Sequence, residues 1–516
     1  MTDRPSYYVT TPIYYVNDVP HIGHAYTTLA CDFLARFKRL DGYDVMFLTG
    51  TDEHGQKVEK SAATKGVDPL AFCDTVSSRF SDLADAMHFS NDQFIRTTEA
   101  RHKVAVQDIW RRARDNGFIY EGKYAGWYAV RDEAYYSESE LTEGEQGEKL
   151  APSGAPVEWV EEPSYFFKLS AFQDKLIAFY EANPDFVMPK SRLNEVMSFV
   201  RGGLDDLSVS RTSFKWGIPV PDADGHVVYV WFDALTNYLT ATGYPDMDTD
   251  GFKQYWPADV HMVGKDILRF HAVYWPAFLM AAELETPKRV FAHGWWTNEG
   301  QKISKSLGNV IDPFELIEEF SVDAVRYFLM REVPFGKDGD FSRTAFVGRV
   351  NADLANGLGN MTQRTLSMIA KNCDAMVPQP GPLTAEDTRL LDNVGGLLDE
   401  VRTHMDRQAF HLALDTIWKQ VAAADVYISA QAPWTLKKTD PDRMKTVLYV
   451  MAETVRQLAI LAQAIMPLSA GSILDQLAID HETRGFDQLG DAGRLVAGTA
   501  LPAPKGVFPR VQLDEE

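Results

Sequence analysis

The first fifty residues set the fold. "SYYVTTPIYYV", Ser6 to Val16, is β-branched and aromatic and turns at Pro12, which predicts a first strand. Ala25, Leu29, Phe33, Leu34 and Phe37 then recur at the spacing of one helix face, with Gly42 just past the end. "YDVMFLTGTDEHG" follows as a nearly all-apolar run that turns polar at Thr51. Strand, helix and strand in so short a span make a βαβ unit. A strand this apolar has no side to show to water, so the sheet is parallel and covered on both faces.

Between about residues 116 and 225 the pattern degrades into the acidic "EAYYSESELTEGEQGEKL" and the Pro/Gly-rich "APSGAPVEW", the mark of an inserted module. The α/β pattern resumes with "HVVYVWFDAL" and "ADVHMVGKDI". After about residue 345 the periodicity is helical, in "VGRVNADLANGLGNMTQRTLSMIAKN" and "HLALDTIWKQVAAADVYISA". An α/β domain split by an insert and followed by an all-α bundle is expected, and no internal repeat is visible.

A length of 516 residues allows two to four domains. The formal net charge of −22 argues against general DNA binding, so a polynucleotide partner needs a local basic or aromatic surface. The three cysteines, Cys31, Cys73 and Cys373, are far apart and suggest neither disulfides nor a cysteine zinc site. The N-terminus lacks a leader pattern and no apolar run nears the ~20 residues that span a bilayer, so a cytoplasmic protein with no membrane partner is expected.

Two short constellations suggest chemistry. In "DVPHIGHAYTTLACDFL", a helix beginning near Gly23 offers backbone N–H groups and a positive dipole end to phosphate, flanked by His21 and His24. Gly23 lets a ligand approach closely, and the imidazoles can donate to phosphate oxygens in a transition state. In "GQKISKSLGNVIDP", Lys302 and Lys305 sit with Ser304 and Ser306 in a loop bounded by Gly300 and Gly308, able to close over a triphosphate. Capping histidines and solvated lysines are the ordinary alternatives for each alone; the pairing is what is uncommon.

That pairing resembles the "HIGH" and "KMSKS" signatures of the class I aminoacyl-tRNA synthetases, with Ile303 in place of the usual Met. Within the class the chain is most similar to the methionyl-tRNA synthetase family, through "TTPIYYVNDVPHIGH", "FLTGTDEHG", "VWFDALTNYL", "VGKDILRFHAVYWPA", "HGWW", "KISKSLGN" and "QAPW" in the family's order. The resemblance implies a Rossmann-like catalytic domain (1–115 and 226–295) split by a connective insert (116–225), then a KISKS and stem-contact segment (296–345) and an α-helical anticodon-binding domain with a tail (346–516). It implies ATP, arriving with Mg²⁺, gripped by His21, Gly23, His24, Lys302, Ser304 and Lys305. The catalytic set is His21, His24, Lys302 and Lys305. L-methionine would sit among Ile13, Tyr15, Trp231, Leu235, Tyr238, Ile267 and His271, with Asp52 taking the ammonium group. A soft thioether gains from such an aromatic, apolar slot.

An insert of about a hundred residues is too small for the editing module of the leucine, isoleucine and valine relatives, whose substrates differ by a methylene worth only ~1–3 kcal/mol. Many relatives build the insert around a zinc knuckle, but this chain has Ala129 to Asp132 and Ser153 onward where they have cysteine pairs. No structural zinc is expected, and Trp127, Tyr128 and Trp159 should hold the knuckle by packing.

Farther on, Asn356, Asn360 and Arg364 form one polar stripe of a helix from about Phe346 to Ile369. The resemblance makes Asn360, Arg364 and Trp434 the anticodon readers of tRNA(Met), by base-edge hydrogen bonds and stacking. "SVDAVRYFLMRE" resembles the segment that touches the inside of the tRNA L, though its charges fit a surface helix equally well. No appended dimerising domain follows "PAPKGVFPRVQLDEE", so a monomer is expected.

Two other readings stay open from sequence. A nucleotidylyltransferase of the H-x-G-H type leaves the helical third unexplained. A non-catalytic tRNA-binding relative is opposed by the intact His21, His24, Lys302 and Lys305. A P-loop is absent, since "GTDEHGQK" lacks the G-K-[ST] ending.

Overall fold

In the computed structural model, which describes residues 4–16, 19–144, 147–303 and 309–512, the chain opens with strand β1 (Ser6–Thr10) and resumes after Pro12 as β2 (Tyr14–Tyr15). Helix α1 (Ile22–Leu40) and strand β3 (Asp44–Asp52) complete the βαβ unit. β1 runs parallel to the first half of β3, from Ser6↔Asp44 to Thr10↔Leu48, and β2 to its end, Tyr14↔Thr51 and Tyr15↔Asp52. The first strand ends before Pro12, as expected, because Pro12 has no N–H to give the ladder; the two-residue pairing of Tyr14–Tyr15 beyond it was not expected.

Among the described residues the main sheet has seven strands, in the order Val187–Met188, Val290–His293, Val260–Gly264, β1, β3, β2, with Gln93–Arg96 also paired to β3. Every pair is parallel. Val187–Met188 lies inside the 116–225 stretch, so that stretch contributes a strand to the parallel sheet. Alternation along the strands feeds two cores. Val9, Val45 and Phe47 pack with α1 and the helical region, while Tyr8, Met46 and Leu48 pack with Trp110, Phe167 and Trp275.

The rest of the insert carries an antiparallel sheet, in which Ile119–Ala129 pairs with Glu158–Phe167 from Ile119↔Phe167 to Tyr128↔Glu158, and two helices, Gln173–Ala182 and Lys190–Arg201. Beyond residue 340 the expected continuous helix is instead Arg343–Arg349, a π-helical stretch Val350–Gly359 and Asn360–Asn372. Gly357 breaks the regular turn with ψ −106°. Leu354, Leu358, Met361 and Thr365 are still buried, and Asn356 and Asn360 exposed, so the polar stripe survives the wider turns.

"SVDAVRYFLMRE" forms the helix Val322–Arg331, and its charges are not a surface face. Arg326 is fully buried and donates to Asp32 of α1 (2.6 Å) and to the carbonyls of Met87 (3.0 Å) and Ile465 (2.7 Å). The guanidinium fork joins the helix of the two histidines to the C-terminal bundle.

Candidate active site

The N-terminus of α1 is capped by its own histidines. His21, in extended conformation at φ −135°, accepts at Nδ1 from the Gly23 N–H (3.1 Å), while its own N–H donates to His24 Nδ1 (3.1 Å). The ring centroids lie 3.9 Å apart. Gly23 is required by this closeness, since a Cβ there would sit 2.9 Å from His21 Cε1. The open seat of amides expected for phosphate is not what the first turn offers: the Ile22 N–H goes to Ile311 O, and those of His24 and Ala25 go to His21 O. The imidazoles of His21 and His24 line the adjacent cleft instead. Burial lowers the pKa of both, with His21 adding to the effect at His24 and Asp266 opposing it at His21. An accepting Nδ1 on a neutral ring leaves the proton on Nε2, a donor free to point outward.

His21, Gly23 and His24 line a cleft of about 530 Å³ together with Tyr15, His293, Trp295, Ile303 and Val310. His293, at the C-terminal end of its strand, bonds Thr27 Oγ1 through Nε2 (2.7 Å) and Gly294 O through Nδ1 (2.8 Å). Trp295 donates to Asp266 (3.2 Å) under the Lys265 ammonium, 4.3 Å from the ring centre. Neither had been singled out from sequence; the segment "HGWW" was the available signal. Lys302 pairs by its backbone with Thr297, Ile303 lines the cleft, and Ser304, Lys305 and Ser306 lie outside the described residues.

Next to the cleft is an aromatic slot. The Tyr238 hydroxyl donates to His271 Nε2 (2.7 Å), because His271 Nδ1 gives its proton to Ile267 O (3.0 Å). Burial brings the His271 pKa down to about 4, so the ring is neutral at pH 7. Trp231 stands edge-on to His271 with centroids 6.2 Å apart, and stacks flat on Phe270 at 3.7 Å. Ile13, Tyr15, Trp231 and Ile267 are partly buried against the core that holds Leu235 and Tyr238. Phe270 is a neighbour that sequence reading passed over.

Asp52 ends β3 beside Tyr15, and its buried Oδ1 has no hydrogen-bond partner among the described residues. Burial first, then the carboxylates Asp233 and Glu133, push its pKa well above the usual range. Burial acts the same way on Asp233 but is outweighed by His54 (2.7 Å) and His102 (2.8 Å), which hold it ionised. A buried carboxylate with one oxygen unpaired, at the C-terminal end of a parallel strand, is suited to receive a cationic ligand group.

In the insert, Ala129, Ala151 and Ala155 form a small apolar cluster. Asp132 accepts from the Ser153 hydroxyl and from Tyr136 (3.1 Å), while Arg131 donates to Ser153 O (2.7 Å). Among the described residues no group of three or more His, Cys, Asp or Glu could hold a metal ion. Tyr128 is buried under the Arg211 guanidinium, and Trp127 meets Trp159 edge-on at 5.2 Å, although Trp159 is half exposed.

In the bundle, Arg364 lies over Trp434, 5.2 Å from the ring centre, and 3.5 Å from Asp425. Trp434 is 44% exposed at the start of the helix Pro433–Thr439, and Asn360 is exposed one turn before Arg364. The three form one surface of about the composition that splayed bases stack on.

A family model described as tRNA synthetases class I (M) matches residues 7–366, and one described as anticodon binding domain of methionyl tRNA ligase matches residues 377–516. The methionine–tRNA ligase of Mesorhizobium japonicum is 59% identical over 98% of both chains, and that of Rickettsia bellii 58% identical over 98% of this chain and 99% of its own. The Mycobacterium tuberculosis methionyl-tRNA synthetase in complex with methionyl-adenylate superposes with TM-score 0.96 at 56% identity, over 98% of this chain and 100% of that one. Its apo form gives 0.90 at 52% identity, over 99% of each.

Proposed function

This chain belongs to the class I methionyl-tRNA synthetases, and on that footing we propose how its residues divide the work. The enzyme joins L-methionine and ATP to methionyl-adenylate and pyrophosphate, then passes the methionyl group to tRNA(Met). In the first step a methionine carboxylate oxygen bonds the α-phosphorus as the bond to pyrophosphate breaks. The attacking group is already ionised, so no general base is needed, and catalysis is positioning plus electrostatics.

His21 and His24 donate from Nε2 to the α-phosphate oxygens as charge builds there, and Gly23 lets the nucleotide pass close. Lys302, Ser304 and Lys305 hold the departing pyrophosphate. The observation that carries this is that Ile303, between the lysines, lines the same cleft as both imidazoles. Mg²⁺ comes with the ATP phosphates and neutralises them. Asp52 takes the methionine ammonium, and Ile13, Tyr15, Trp231, Leu235, Tyr238, Ile267 and His271 surround the thioether side chain. Asn360, Arg364 and Trp434 read the anticodon.

The knuckle works without zinc, its metal role taken by the contacts among Arg131, Asp132 and Ser153, and the domain boundaries are those expected from sequence except that Val187–Met188 belongs to the main sheet. No helix among the described residues is long and apolar enough to cross a membrane. A cytoplasmic monomer without DNA affinity is the working form, supported on the last point by the net charge of −22.

The test is amino-acid-dependent exchange of labelled pyrophosphate into ATP over all twenty amino acids. Exchange with methionine alone is expected. Strong exchange with isoleucine or cysteine and none with methionine would overturn the assignment of the slot.

A further inference from the structure

Glu133 stands where the antiparallel insert meets the cleft, and beyond its push on the Asp52 pKa none of the roles above uses it. It is 5% exposed and follows the strand Ile119–Ala129 at φ 49°, a left-handed backbone that non-glycine residues seldom adopt. This turn sends the side chain out of the insert and across to helix α2 (Gln56–Lys65). Oε1 accepts from the Lys57 N–H (3.1 Å) and from the Tyr15 hydroxyl (3.0 Å), and Oε2 accepts from the Tyr128 hydroxyl. The Glu133 carbonyl accepts from the Tyr229 hydroxyl (2.9 Å).

Each partner has a reason to need it. α2 begins after Gly55, which has no side chain to cap it, so the carboxylate supplies the acceptor and the negative charge that a helix N-terminus favours. Gly55 itself sits at φ 112°, and a Cβ there would lie 2.7 Å from Tyr15 Oη and 3.1 Å from Glu133 Oε1. Tyr15 belongs to a strand of only two residues and pairs with Asp52. Tyr229 immediately precedes the helix Val230–Leu235, which carries Trp231 and Leu235. One residue of the insert thus grips two separate walls of the slot.

We propose that Glu133 is a positioning residue for methionine: it holds Tyr15 and the start of Val230–Leu235 in the arrangement that receives the amino acid, without touching the amino acid itself. The inference rests on Tyr15, Asp52 and Trp231 lining the methionine slot, and the test separates the two ideas.

The measurement is kcat and KM for methionine and for ATP in pyrophosphate exchange by the full chain, with thermal melting to follow folding. Glu133→Ala is expected to raise the methionine KM about tenfold, as loss of a hydrogen bond to a charged group does, with kcat and the ATP KM within about twofold. Glu133→Gln keeps an oxygen for Tyr15 and the Lys57 amide and stays within about threefold of the parent. In a Tyr15→Phe background, which has no hydroxyl to hold, Glu133→Ala should cost much less than in the parent.

An unchanged methionine KM in Glu133→Ala, an equal rise for both substrates, or an undiminished cost in Tyr15→Phe overturns the proposal. If Glu133→Ala fails to fold, Tyr15→Phe breaks the same contact from the other side. A several-fold rise in its methionine KM alone then supports the proposal, and no rise overturns it. Tyr15→Ala with an unchanged methionine KM removes the slot reading; a raised one beside an inert Glu133→Ala removes only the role of Glu133.

Discussion

Asp52 keeps one backbone hydrogen bond, from His54, but its other oxygen has no partner among the described residues and its surroundings disfavour its charge. A carboxyl whose pKa is raised takes up a proton at a higher pH than an ordinary one, near 4, and a neutral carboxyl cannot hold an ammonium. kcat/KM for methionine should therefore fall as the pH drops through a value above the usual carboxylate range, with no accompanying limb from His271, whose ring loses its proton at about 4. Asp52→Asn should abolish that limb and lower kcat/KM by about 100-fold, which a pH series of exchange rates checks. At this scale the sequence was partly legible. His21 and His24 could be picked out, but their geometry could not: the motif reads as a row of amides waiting for phosphate, and folding spends those amides on the His21 imidazole and on the carbonyls of His21 and Ile311. Glu133 was illegible for a different reason. Its meaning depends on a left-handed turn and on Tyr15, 118 residues away.

Elements show the same division. The βαβ unit was plain from apolar runs and helical spacing, which are local signals. The kink of the π-helical stretch at Val350–Gly359 was not, since glycines at 357 and 359 inside a periodic pattern mark only that a break is allowed. The exposed Trp434 on its short helix yields a separation of activities. Trp434→Ala should lower charging of tRNA by about 100-fold, in keeping with the ~1–3 kcal/mol of a lost base stack, while exchange with ATP stays within about twofold. Equal loss of both would remove Trp434 from the anticodon surface. The knuckle gives a third outcome: elemental analysis of purified protein should find zinc far below one per chain, because alanines and a hydrogen-bonded Asp132 stand where thiolates would be needed.

For the molecule as a whole, Arg326 matters most among the residues whose role sequence left open. The guanidinium is fully buried between Asp32, Met87 and Ile465, so removing it leaves the buried Asp32 with Arg36 as its remaining cationic partner and takes a donor from two carbonyls. Arg326→Met should lower stability by about 3–5 kcal/mol in urea unfolding, far more than loss of an exposed arginine such as Arg343. A periodic segment announces that it is helical, and its pattern cannot say which of its charges will be turned inward by helices arriving a hundred residues later.

One face of the parallel sheet shares its apolar interior with the bundle, running from Val9 and Phe33 through Phe328 and Phe410 to Leu474. The half that makes adenylate and the half that meets RNA are therefore not a head on a stalk. Cut near residue 340, the catalytic portion would be left with a broad greasy wound and would clump; evolution can trim such a protein at its loops, but it cannot shed the bundle without first resurfacing the sheet.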